Sequence, residues 1–127
     1  MNDIDISVII PVKNGQKYLD SVLKAVFSQE INAKFEVIII DSGSRDSTLG
    51  IARNYPVRIF QIPTEEFGHG RTRNQGAQIA RGKIVVFLNA DALPRGENWL
   101  NCLVDNFKDD EKIAGIYSRI YPQPDCN

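Results

Sequence analysis

The 127-residue sequence predicts an α/β fold built on a mostly parallel sheet. Three observations predict it. Short runs of β-branched residues recur along the chain, helix-length amphipathic segments separate them, and the runs end in polar, glycine-containing turns. Strands separated by helix-length segments imply βαβ units with right-handed crossovers.

The elements follow in order. Ile6–Ile10 is a β-branched run that reads as a buried strand stopped by Pro11. Residues 15–29 place Tyr18, Leu19, Val22, Leu23, Val26 and Phe27 on one helix face, with Asn14 as its cap. Phe35–Ile40 is a second buried strand ending at Asp41. Ser44 then caps a helix running through Arg53, with Asp46 in its first turn. Val57–Ile62 is a third strand, stopped by Pro63. Residues 64–70 form a polar loop holding one aromatic residue, Phe67.

A helix from Arg71 to Ala80 follows, with Ala77 and Ala80 turned inward and Gly82 as its terminating glycine. Ile84–Leu88 is the fourth strand. Glu97–Phe107 is a helix with Trp99, Leu100, Leu103, Val104 and Phe107 on its apolar face, and Ile113–Ile120 is a last, weaker strand.

Composition narrows the function classes. The chain is one domain with 43% hydrophobic and 24% charged residues. A net charge of -1 offers no general field for nucleic acid or anionic lipid. The apolar runs are too short to span a bilayer, and no secretory signal is visible. Cys102 and Cys126 lack metal-ligand or CxxC spacing and read as reduced, which suits the cytoplasm.

In a parallel sheet the turns Pro11–Gly15, Asp41–Asp46 and Asn89–Ala92 share one edge, where open α/β sheets bind ligands. Asp41 at a strand tip can accept from a nucleobase imide or a ribose hydroxyl, or it can merely turn the chain. Arg71 and Arg73 near a helix N-terminus suit anionic oxygens, since cations there oppose the helix dipole. His69, the only histidine, is a substrate contact or an exposed side chain. Asp91 either turns the chain before Pro94 or holds a divalent cation, which needs only one or two carboxylates plus substrate phosphates. Asn89 points the same way and can hydrogen-bond a sugar hydroxyl or a water.

The motifs Ser7–Asn14, Val37–Thr48, Arg73-Asn74 followed by Gly76, Ala80 and Gly82, and the strand ending in Asn89-Ala-Asp91 together resemble the N-terminal, nucleotide-sugar-binding half of a family 2 glycosyltransferase. The stretch Phe67–Asn74 with Asp91–Pro94 resembles the rhamnosyltransferase-like branch. The resemblance implies a Rossmann-like GT-A fold, a three-layer sandwich. It implies that Pro11, Val12 and Asn14 line the nucleotide pocket, that Asp41 pairs with the base, and that Arg73 lies near the nucleotide. Ser42, His69, Asn74 and Asn89 join the donor site, and Asp91 holds Mg²⁺ or Mn²⁺ on the diphosphate. Asn89 stands where the family usually has an Asp.

The implied reaction is inverting transfer of a sugar from a dTDP-, UDP- or GDP-linked donor to a saccharide or lipid-linked acceptor, in polysaccharide biosynthesis. The parent would be cytoplasmic, at the inner face of the membrane, with no nucleic-acid partner.

By the same resemblance the chain reads as truncated at the C-terminus. The acceptor-binding half would be absent and the catalytic base would lie beyond Asn127. The fourth strand would then be an exposed edge, covered by self-association or by the C-terminal segment. Two other readings are a non-catalytic nucleotide-sugar-binding module and a nucleotidyltransferase. The second would need a Gly-rich, basic loop after the first strand. A dinucleotide-binding domain would need GxGxxG there, and it is absent.

Overall fold

The computed structural model describes residues 4–31, 33–90, 94, 96, 99–101 and 116–117 (for 69, 116 and 117, the backbone). Among the described residues, five strands form one sheet, β1 (Ile6–Val12), β2 (Phe35–Asp41), β3 (Arg58–Gln61), β4 (Ile84–Phe87) and β5 (Ile116–Tyr117). Their order is β3-β2-β1-β4-β5, and every pairing is parallel. The fully described helices are α1 (Leu19–Phe27), α2 (Thr48–Ala52) and α3 (His69–Ile79), with a 3₁₀ turn at Thr64–Glu66.

Strand alternation divides the core between two faces. On one, Ile6, Val8, Ile10, Val37, Ile39, Val86 and Leu88 pack with α1, Ala52, Trp99 and Leu100. On the other, Ile9, Ile38, Ile40 and Val85 pack with Phe60, Ile79 and Phe87 beneath α3. The result is three layers, helix–sheet–helix. Helix α1 buries Leu19, Val22, Leu23 and Val26, the i, i+3, i+4, i+7 stripe expected of a helix on a sheet. Each such side chain contributes about 1.5–3 kcal/mol by leaving water.

Several boundaries differ from the sequence expectation, each for a local reason. β1 runs through Pro11 to Val12. Odd residues of β1 bond toward β4, as Ile9 does in accepting from Leu88 N–H at 2.9 Å. The β1–β4 pairing ends at Ile9, so the N–H that Pro11 lacks falls where no ladder partner exists. Asn14 does not cap α1. It takes a left-handed conformation, φ 53°, and α1 starts at Leu19. Tyr18 is 45% exposed rather than part of the apolar stripe.

The second helix spans Thr48–Ala52 only, and Ser44 is not its cap. Its N-cap is Ser47, which makes no side-chain capping bond; one residue earlier, Asp46 Oδ1 accepts from the Thr48 N–H at 3.0 Å and from the Thr48 hydroxyl. Helix α3 starts earlier than expected, at His69, and packs on the sheet through Thr72 and Gly76, leaving Ala77 exposed. A Cβ on Gly76 would sit 2.7 Å from Ile9 Cγ2, so only a glycine lets the helix come this close. Gly82 does not end α3 as a left-handed cap. The helix ends in an extended residue, Ala80, and Gly82 lies against the β1 backbone, where a Cβ would fall 2.6 Å from the Ile6 carbonyl carbon.

The edge of β4 is covered by this chain's own β5, in register Val86↔Ile116 and Phe87↔Tyr117. That is one of the two alternatives anticipated from sequence. Of the expected helix Glu97–Phe107, residues 99–101 are described and helical. Gln29 ties this segment to α1. Its Nε2 donates to Ala25 O and Gly96 O, and its Oε1 accepts from Leu100 N–H at 3.0 Å. Most of Ile113–Ile120, together with Cys102 and Cys126, lies outside the described residues.

At the N-terminal end of the sheet a polar cluster fastens α3. Glu36 accepts from the Ser7 hydroxyl, from Arg81 N–H at 2.7 Å and from Arg58 Nη1 at 2.8 Å. Gly82 N–H donates to Ser7 Oγ at 2.8 Å, and Arg58 Nη1 also reaches Ile79 O at 3.1 Å. Burial pushes the Glu36 carboxyl up. The hydrogen bonds from Ser7, Arg81 and Arg58 and the Arg58 charge outweigh it, and hold Glu36 below its ordinary value.

Two predictions follow from this packing. Gly82→Ala should cost about 1–3 kcal/mol in urea unfolding, because the obstructing atoms are backbone. Gly50→Ala, with open space around it inside α2, should be neutral or stabilising by up to about 1 kcal/mol. A Gly82→Ala variant as stable as wild type would refute the close approach. Because the Glu36 pKa is lowered on folding, its contribution is full above the unfolded value of about 4.3 and is lost as pH falls through that value and then the lower folded one. Urea midpoints between pH 7 and 3 should therefore drop in wild type and drop less steeply in Glu36→Gln.

Candidate functional site

Parallel register sets the ends of β1 and β2 level, with Val12 opposite Asp41. The turns beyond them are bonded to each other. Asn14 N–H donates to Ser44 Oγ at 2.7 Å, and Asn14 Oδ1 accepts from Arg45 N–H at 2.8 Å. Gly15 N–H donates to Thr48 Oγ1 at 2.8 Å. Gln16 Oε1 accepts from Ser47 N–H at 3.0 Å, and Gln16 N–H donates to Asp46. The Thr48 hydroxyl and backbone bonds hold the Asp46 carboxyl below its ordinary value. Ser42 N–H extends the ladder to Val12 O at 3.0 Å.

The segment after β3 is fastened to the same turn. Ile62 N–H donates to Asp41 O at 2.8 Å, and the Thr64 hydroxyl donates to Ser42 O at 2.7 Å. Gly43 sits at φ +102°, and a Cβ there would fall 2.2 Å from Thr64 Oγ1. Glycine is needed at this position for both its backbone conformation and its lack of bulk.

These segments enclose a cleft of ≈ 210 Å³ at the C-terminal ends of the strands. Pro11, Val12 and Phe67 give it apolar walls. Lys13 and Arg73 bring positive charge, and Ser42, Thr64, Thr72 and Asn89 bring neutral polar groups. Arg73 is placed by α3, with its guanidinium 6.0 Å from the centre of the Phe87 ring on β4.

Five of the expected site residues therefore meet at the cleft, namely Pro11, Val12, Ser42, Arg73 and Asn89. Of the described others, Asn14, Asp41 and Asn74 do not line it. Asn14 shapes the adjoining turn. Asp41 is 2% exposed and lies outside the cleft lining. Its Oδ2 accepts from Gly43 N–H at 3.2 Å and Ser44 N–H at 3.1 Å, and its Oδ1 is enclosed with no hydrogen-bond partner. The alternation of β2 explains this. Asp41 falls on the face of Val37 and Ile39, and the next residue, Ser42, turns to the cleft.

Asn74 is exposed on α3, and His69 is the first residue of that helix. Arg71 is exposed outside the cleft lining and reaches Glu66 O at 3.5 Å. Asp91 lies outside the described residues, two positions beyond Asn89. Lys13, Thr64, Phe67 and Thr72 were not singled out as site residues from sequence. The lone aromatic in a polar loop was the available signal for Phe67.

Among the described residues no three His, Cys, Asp or Glu side chains group so as to hold a metal ion. No helix of the described residues is long and apolar enough to cross a membrane.

The sequence pattern of glycosyl transferase family 2 matches residues 7–127. The chain belongs to this family. It is 35% identical over 124 residues to the O-antigen chain rhamnosyltransferase RfbN of Salmonella typhimurium, covering 96% of this chain and 39% of that protein. The Staphylococcus aureus TarS 1–349 structure in complex with UDP-GlcNAc superposes with a TM-score of 0.73 at 28% identity, over 84% of this chain and 32% of that one. The mannosyltransferase PcManGT of Pyrobaculum calidifontis, in complex with GDP-Man and Mn²⁺, gives 0.72 at 28% identity, over 83% and 32%. The sheet and its flanking helices are thus those of the GT-A glycosyltransferases. The chain spans about two fifths of the length of RfbN.

Gly43→Ala is expected to lower the urea midpoint by the equivalent of about 1–3 kcal/mol, through a strained φ and the clash with Thr64. Thr64→Ala alone loses the bond to Ser42 O, so the cost of Gly43→Ala is measured in both backgrounds. It should be smaller beside Thr64→Ala, by the clash part, and an equal cost in the two backgrounds would show that no contact exists.

Proposed function

We propose that this chain holds the donor end of a metal-dependent sugar transfer from a nucleoside diphosphate sugar to an acceptor hydroxyl, with inversion at the anomeric carbon. The observation that carries the reading is the cleft itself. It combines apolar walls at Pro11 and Val12 with two cations, Lys13 and Arg73, at the strand ends of a family 2 fold.

The roles divide by chemistry. Pro11 and Val12 pack against the nucleoside, and Ser42 offers a hydroxyl to it. Asp41 positions Ser42 by tying down the turn. Lys13 and Arg73 draw the diphosphate by charge-assisted hydrogen bonds. Asn89 meets a sugar hydroxyl or a water.

One carboxylate with the substrate's own phosphates suffices for Mg²⁺ or Mn²⁺, so Asp91 fits that role without a three-residue cluster. The chemistry supplied by such an ion, when bound, is stabilisation of the charge left on the departing diphosphate. Among the described residues lining the cleft there is no carboxylate. We therefore assign acceptance of the acceptor's proton to none of them. We place the reaction in the cytoplasm, at the inner face of the membrane, with a saccharide or lipid-linked acceptor.

Calorimetric titration with UDP, dTDP and GDP, with and without Mn²⁺, tests this. At least one nucleotide should bind more tightly with Mn²⁺. Asp91→Ala should abolish the Mn²⁺ enhancement. Arg73→Ala should weaken binding about tenfold or more, the loss expected of a charged hydrogen bond. An enhancement that survives Asp91→Ala would remove the metal assignment, and failure of all three to bind would remove the nucleotide site.

A further inference from the structure

Phe67 is a large apolar side chain in an otherwise polar connection, 39% exposed. Its placement is built. The 3₁₀ turn Thr64–Glu66 closes through Glu66 N–H to Pro63 O at 3.0 Å and Phe67 N–H to Thr64 O at 3.1 Å. That turn hangs from the β2 loop through the Thr64–Ser42 bond of 2.7 Å, with Gly43 leaving room for it. Phe67 lines the same cleft as Pro11 and Val12.

The cleft, at ≈ 210 Å³, is smaller than the roughly 300–1,000 Å³ of pockets that take a whole ligand. It fits one ring and the start of a diphosphate. The cations Lys13 and Arg73 suit the diphosphate. A water-facing phenyl ring suits neither phosphate nor sugar hydroxyls. It suits the flat face of a nucleobase.

We propose that Phe67 is a donor-contacting residue on which the nucleobase packs, and that Thr64 is the positioning residue that holds the Phe67 turn at the cleft. This rests on the nucleotide reading above and adds to it a wall from the β3–α3 connection. A nucleobase seated there would cover apolar surface now exposed to water. The wall is indifferent to hydrogen-bonding pattern, since every base has a π-face.

UDP titration of the whole chain, with and without Mn²⁺, tests the proposal in four variants. Phe67→Ala should weaken UDP about tenfold, within the range for loss of one base–aromatic contact. The factor by which Mn²⁺ tightens UDP should stay as in wild type, because the diphosphate end is untouched. Phe67→Tyr should bind as wild type. Thr64→Val should behave like Phe67→Ala, and Thr64→Ser should restore binding by restoring the hydroxyl.

Urea midpoints checked beside each titration separate these effects from unfolding. Unchanged UDP affinity in Phe67→Ala overturns the contact, and Thr64→Val binding like wild type overturns the positioning role. A loss accompanied by collapse of the Mn²⁺ factor also overturns the base contact, since the change would then lie at the diphosphate end. Wild-type chain that binds UDP with Phe67→Ala equally tight sinks this inference alone. Wild-type chain that binds no nucleotide sinks the function on which it rests.

Discussion

β1 is the strand to which the other elements are referred. It is shared by β2 on one side and β4 on the other, both parallel and both starting opposite Ile6. That common register sets the C-terminal ends of the central strands close in height. A slip of one residue would exchange the two faces of the affected strand, sending Val8 and Ile10 to the side of α3 and Ser7 into the face beneath α1. Both faces are filled, so the register is strongly specified. The cleft is a consequence of that alignment.

The turns beyond the strands turn alignment into rigidity. Asn14, Gly15 and Gln16 make five hydrogen bonds to the 44–48 segment. Three of the five use backbone N–H donors of the β1 turn, and two return from Arg45 and Ser47. The left-handed backbone at Asn14, a residue type that tolerates it, is what allows its amide N–H and side-chain oxygen both to face the second turn. The Asp41 carboxylate does comparable work inside the second turn. Its Oδ1 is enclosed and has no hydrogen-bond partner.

Strands and their parallel arrangement were legible because β-branched runs such as Val37–Ile40 have no other stable home. Topology set the turns after three strands at one edge, and Pro11, Val12, Ser42 and Asn89 line the cleft there, whereas Arg73, on α3, was singled out by its place near a helix N-terminus and by the family resemblance. What escaped were features set by neighbours distant in sequence. Asn14 looked like a cap until the 44–45 backbone claimed it. Gly82 looked like a helix terminator, although its cause is the β1 backbone 75 positions earlier. Ala77 and Gly76 differ by a single step on α3, and only the close approach of Ile9 decides which one faces the sheet. Thr64 and Phe67 belong to a connection whose shape comes from its bond to Ser42, and no periodicity announces such a bond.

The polar cluster at the far end of the sheet bears on the cleft through α3. Eleven residues of helix span about 16 Å, enough to run from the Glu36 cluster toward the strand tips. At the lower end Arg58 bonds the Ile79 carbonyl, a cation at the negative end of the helix dipole. The Arg81 and Gly82 N–H groups fix the chain just beyond. Midway, Gly76 locks the helix to Ile9 and Ile40 by close approach. With its lower half held at these points, the helix has little freedom to slide, and the height of Arg73 beside Phe87 follows from counting residues upward from Gly76. The guanidinium at the cleft is therefore positioned by contacts at the opposite end of the sheet. A change that loosens the Glu36 cluster would reach the cleft by shifting α3, and with it the cleft-lining Thr72 and Arg73.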